Sequence, residues 1–110
     1  MTTIYRYRGD TAPDRVTVRD TDGEIVNITD YTFLLTVNSN KAPSGTSGQV
    51  MQVAGVITNA AGGTVVFSPT AQQADILPGK YYYDVQMTDS DGMILTILFG
   101  AYIIRQDITK

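Results

Sequence analysis

Asp20-Thr21-Asp22-Gly23 and Asp89-Ser90-Asp91-Gly92 are two places in this chain where closely spaced carboxylates invite chemistry. Oxygen ligands one residue apart begin many calcium loops, and a carboxylate pair can divide acid and base roles in glycoside hydrolysis. The residues after each motif complete neither reading. A calcium loop between helices needs further ligands at fixed spacing and a bidentate glutamate near its end, which neither copy supplies. Glycosidase carboxylates need a cleft between them, and turn aspartates seldom have one. Asp and Gly are also what tight turns use, so both copies are expected to be hairpin turns without bound metal.

Other motifs resolve in the same direction. Arg8-Gly9-Asp10 is a tripeptide that can bind integrins on a mobile loop, but Gly-Asp after a strand is ordinary turn chemistry, and that reading is preferred. Gly62-Gly63 lacks the lysine and the helix that a phosphate-binding loop places next. Cysteine and histidine are both absent. No disulfide can form, and cysteine nucleophiles, Ser-His-Asp triads and nearly all zinc or haem ligation are removed. No catalytic residue, cofactor or metal site is expected, and the chain is not expected to be an enzyme.

A hydrophobic fraction of 43% against 17% charged residues is that of an ordered globular protein, and 110 residues suffice for one domain, residues 1–110. Eight basic residues scattered among eleven acidic ones, net charge −3, argue against a nucleic-acid partner. Met1 to Arg6 lacks the apolar core of a signal peptide. Met93 to Ile104, the longest apolar stretch, is interrupted by Thr96 and Gly100 and is too short to span a bilayer as a helix. Neither secretion by a standard signal nor membrane insertion is expected.

The elements that must carry these turns are strands. From Lys80 to Met87 the chain alternates, with Tyr81, Tyr83, Val85 and Met87 on one side and Lys80, Tyr82, Asp84 and Gln86 on the other. A period of two is what a strand with one buried face requires. Tyrosines in its first half suggest the tyrosine corner of immunoglobulin-like sandwiches. Ile4 to Arg8 predicts a strand with Tyr5 and Tyr7 sharing a face, and Arg15 to Arg19 one with Val16 and Val18 inward. Glu24 to Ile28 reads as a strand after the first Asp-Gly turn, and Tyr31 to Val37 as one burying Tyr31, Phe33, Leu35 and Val37. Asn38 to Gly48 reads as a mobile loop, Gln49 to Thr58 as a strand broken at Gly55, and Thr64 to Ser68 as one with Val65 and Phe67 inward. Ser68 as cap and Pro69 at the first helical position predict a helical turn near Ala71 to Asp75. Met93, Leu95, Ile97 and Phe99 are assigned one face of the next strand, Ile94, Thr96 and Leu98 the other, and Ala101 to Ile104 completes a last strand. The expected fold is all-β, an immunoglobulin-like antiparallel β-sandwich of seven or eight strands with one short helical turn.

The order of these landmarks resembles a family of small tailed-phage virion proteins, similar to the N-terminal domain of baseplate upper proteins. Arg8-Gly9-Asp10-Thr11 and Asp20-Thr21-Asp22-Gly23 precede Ile28-Thr29-Asp30-Tyr31-Thr32, then come a variable loop and Gly62-Gly63-Thr64-Val65. Pro78-Gly79-Lys80-Tyr81-Tyr82-Tyr83-Asp84 and Thr88-Asp89-Ser90-Asp91-Gly92 come next, with a C-terminal strand after Gly100. The resemblance covers nearly the whole chain and implies a non-enzymatic assembly module of the virion. Its partners would be other virion proteins and further copies of itself, and its place baseplate, tail fibre, neck or head surface. The expected sandwich takes up nearly all of the 110 residues, so the longer stalk and receptor-binding partners of the baseplate proteins are not expected here.

Alternation also nominates a contact surface. Leu34, Val66, Tyr82, Ile94 and Leu98 are apolar or aromatic residues assigned away from the inner core, and together they would form a patch for another subunit. The competing function is a free-standing adhesion or glycan-binding sandwich, with some of the seven tyrosines stacking on sugars.

Overall fold

The computed structural model describes residues 3–41, 43, 45 and 48–106. Among them, eight strands run in chain order as β1 Ile4–Tyr7, β2 Asp14–Thr17, β3 Thr32–Asn38, β4 Gln49–Ala54, β5 Val56–Asn59, β6 Thr64–Phe67, β7 Gly79–Thr88 and β8 Ile94–Arg105. They form a five-stranded sheet ordered β1-β8-β7-β3-β4 and a three-stranded sheet ordered β2-β6-β5. The pairings are antiparallel except that β1 runs parallel to β8. The chain is an immunoglobulin-like β-sandwich, as its alternation predicts. Part of the loop expected from Asn38 to Gly48 lies outside the described residues.

Register explains why the sheets close on one another. Val53, Leu35 and Val85 lie side by side across β4, β3 and β7, and Met51, Val37 and Tyr83 form the neighbouring row. All six are buried and meet Val65 and Phe67 of β6, with Val18, Ile28 and Ile76 closing the core from the connections. Removing a large side chain of this kind from water stabilises by about 1.5–3 kcal/mol. Tyr83 lies opposite Gly100, and its ring meets Tyr102 edge-on at 5.8 Å. Tyr81 donates its hydroxyl proton to the Leu77 carbonyl at 2.7 Å, the backward bond that a tyrosine corner makes.

Gly55 is where the chain changes sheets. β4 ends at Ala54 in the large sheet and β5 begins at Val56 in the small one. A Cβ on Gly55 would lie 2.7 Å from Val65 Cγ2 and 2.9 Å from both Phe33 Cβ and Phe67 Cε1. The break expected there is a corner through which only a bare backbone passes.

The helical turn is present as a single turn, with Ala74 N–H donating to the Thr70 carbonyl at 2.9 Å. Two details of the sequence reading are corrected. The cap of that turn is Thr70 rather than Ser68: the Thr70 and Gln73 side chains each accept the other's backbone N–H, the reciprocal pattern of a capping box. Glu24 to Ile28 contributes only an isolated bridge between Arg19 and Ile25, not a strand.

Candidate functional site

Arg6, which alternation did not nominate, carries the most buried charge among the described residues. It sits between Tyr5 and Tyr7, both exposed, so the strand period turns its side chain into the sandwich. Its guanidinium donates to Asp14 Oδ2 at 2.8 Å, to the Asp10 carbonyl at 3.0 Å and to the Ala12 carbonyl. The Tyr102 hydroxyl donates to the same Asp14 oxygen at 3.1 Å. β1 of one sheet is thereby tied to β2 of the other. Burial pushes the Asp14 carboxyl above its ordinary value, partly offset by the Arg6 charge and the hydrogen bonds from Tyr102 and Arg6. Burial, then the Asp14 charge, pushes the Tyr102 and Tyr83 phenols up. These groups face the core, and the arrangement is a clamp between sheets.

The two aspartate motifs are one structure used twice. Asp20 Oδ1 accepts the N–H groups of Asp22 and Glu24 at 2.9 and 3.0 Å, and Asp89 Oδ1 accepts those of Asp91 and Met93, both at 2.9 Å. Gly23 and Gly92 have φ of +83° and +88°, a conformation glycine adopts without a steric cost. In each, the first carboxylate holds the turn closed. No group of three or more Asp or Glu capable of sharing a metal ion occurs among the described residues. Arg8 pairs with Asp75 at 2.7 Å and Gly9 N–H donates to the Ala74 carbonyl, so the Arg-Gly-Asp segment is pinned to the turn beside it.

Three of the five nominated contact residues share the outer face of the large sheet. Leu34 and Tyr82 are half-buried there, and Ile94 is 62% exposed at the start of β8. Val66 does not join them. It lies on β6, the central strand of the other sheet, and is only 9% exposed, so both faces of that strand are covered. Leu98 is also reassigned. β8 carries a bulge against β7: Val85 pairs with Leu98 and Gln86 with Thr96, leaving Ile97 as an extra residue. One inserted residue reverses the faces beyond it. Leu98 therefore packs with Ile97 against the core, while Phe99, assigned inward by alternation, is 59% exposed outside.

The bulge isolates an apolar hairpin end. Met93, Ile94 and Leu95 are exposed by 59%, 62% and 46%, three consecutive large side chains largely in water. Leu95 lies opposite inward Met87 and Ile94 opposite Thr88, so both faces of the hairpin end are apolar. The ten- and twelve-residue strands β7 and β8 pair here, whereas the strands of the small sheet have four residues each.

No protein-family model matches the chain, and no curated protein matches it in sequence. Among solved structures it is similar to CopC from Methylosinus trichosporium OB3b, with a TM-score of 0.55 over 100% of this chain and 90% of that one at 10% identity. A likeness at that identity speaks to the sandwich fold alone.

Proposed function

We propose that this chain is a non-enzymatic assembly module of a tailed-phage virion, acting through protein–protein contacts with further copies of itself and with other virion proteins. The observation that carries the assembly reading is the exposed run Met93-Ile94-Leu95. Consecutive large apolar residues in water at a strand end are expected where another subunit covers them. The two Asp-x-Asp-Gly turns have their leading carboxylates engaged by the backbone, and the Arg6–Asp14–Tyr102 group is buried between the sheets, which supports a structural use of the polar residues. The order of sequence landmarks supports placing the module in a virion, made in the host cytoplasm.

The reading is tested on particles. The protein should co-sediment with gradient-purified phage carrying its gene, and genes for portal, tail-tube or terminase proteins should flank that gene. Recovery only as free protein, from a locus without such genes, contradicts it.

A further inference from the structure

We propose that a groove on the outer face of the large sheet, lined by Asp84, Tyr82 and Phe99, binds a short oligosaccharide. The space between this face and the described loop residues Lys41, Pro43 and Gly45 has a volume of about 590 Å³, within the range of small-molecule sites. Register sets Thr36, Asp84 and Phe99 side by side across β3, β7 and β8, with Asn38, Tyr82 and Ala101 in the next row. Adjacent positions on one face of a sheet are within side-chain reach of each other. Gly100 and Ala101, with little or no side chain, leave a depression beside the Tyr82 and Phe99 rings.

The lining selects the class of ligand. A sugar ring offers a C–H face that an aromatic ring can cover and a rim of hydroxyls that polar side chains can engage. Phe99 and Tyr82 supply the rings, and Thr36, Asn38 and Asp84 the polar groups. Asp84 is half-buried, and no hydrogen bond or ion pair joins its carboxylate to another described residue. Burial pushes this carboxyl above its ordinary value, whereas hydroxyls donating to it would favour the charged form. A purely apolar ligand would strand the Asp84 carboxylate without a partner, whereas Thr36 already accepts a hydrogen bond from the Gln52 amide at 3.1 Å. A peptide strand adds to the edge of a sheet, and this groove lies across the face. The Lys80 ammonium lies 5.7 Å from the Tyr82 ring centroid and flanks the groove. The site is built on residues other than Met93, Ile94 and Leu95, so it stands or falls separately from the assembly reading.

The test is a titration of the ¹⁵N-labelled full chain with maltotriose, cellotriose, triacetylchitotriose and trigalacturonic acid, each to roughly 20 mM, against a Kd expected on the order of 1 mM or tighter. At least one should give saturable shifts of the amides of Tyr82, Asp84, Thr96 and Phe99. Phe99→Ala and Asp84→Ala, each checked for an unchanged far-ultraviolet spectrum, should weaken that binding at least about tenfold. Ile94→Asp should leave it unchanged. Failure of all four sugars to give a saturable shift, shifts confined to other surfaces, or binding unaffected by both groove substitutions overturns the proposal.

Discussion

Arg6 shows how a single side chain can hold two sheets together while one of its own donors goes unpaired. Its guanidinium is buried, and among the described residues its Nε finds no hydrogen-bond partner. Removing one member of such a pair leaves the other charge uncompensated, which typically costs 3–5 kcal/mol, whereas replacing both with apolar groups is often neutral. Asp14→Ala should therefore destabilise by about 3–5 kcal/mol in urea unfolding, and Arg6→Met combined with Asp14→Leu by much less. Asp84 offers a test of pH dependence. Its carboxyl is raised by burial, so the folded state holds its proton at higher pH than the unfolded chain. That contribution is fully present below the unfolded value and is lost as pH rises through the folded one. Asp84→Asn should thus stabilise at neutral pH, by less than about 1 kcal/mol because solvent still screens this half-buried group. The gain should vanish in melts run well below the ordinary carboxylate range. A gain that persists there would assign the effect to something other than ionisation.

At the scale of the strand, the bulge at Ile97 decides which residues face the core. Leu98 is partly buried against the core opposite Val85, so Leu98→Asp should bring a charge to the core's edge and destabilise the domain by about 1–3 kcal/mol in urea unfolding followed by circular dichroism. Ile94→Asp, four residues earlier and exposed, should leave the sandwich folded, with an unchanged far-ultraviolet spectrum. Gly55→Ala should cost about 1–3 kcal/mol, because Val65, Phe33 and Phe67 leave no room at the corner. The alternation of β3 and β7 was legible in the sequence because polar residues mark their outer faces. β8 was not: it is apolar at nearly every position from Met93 to Phe99, so a period of two carries no information on register. Val66 does face away from the core shared by Val65 and Phe67, opposite Arg15 and Val56, but on the other sheet, and no local pattern in the sequence tells one sheet from the other. The aspartate turns were legible because Asp and Gly each have a defined role there. The Arg6 clamp was not, since its partners Asp14 and Tyr102 lie far from it or from each other in the chain, with 88 residues separating Asp14 from Tyr102. The shared face of Tyr5 and Tyr7 was its one local sign.

For the whole molecule, the long β7–β8 hairpin gives the sandwich an apolar end that the shorter sheet has no strand long enough to match. Covering Met93, Ile94 and Leu95 in an assembly would contribute at about 25 cal/mol per Å² of apolar surface, from which the cost of association is subtracted. The groove beside Asp84 lies on the same sheet but on different residues, which lets assembly and ligand binding be separated by substitution. Light scattering coupled to size exclusion, on wild-type protein and on Ile94→Asp over a range of concentrations, tests the assembly reading most directly. The wild-type chain should run as an oligomer whose mass rises with concentration, and Ile94→Asp as a folded monomer whose melting temperature does not depend on concentration. A wild-type chain that stays monomeric at every concentration, or an oligomer that Ile94→Asp leaves intact, would contradict assembly through this end of the sandwich.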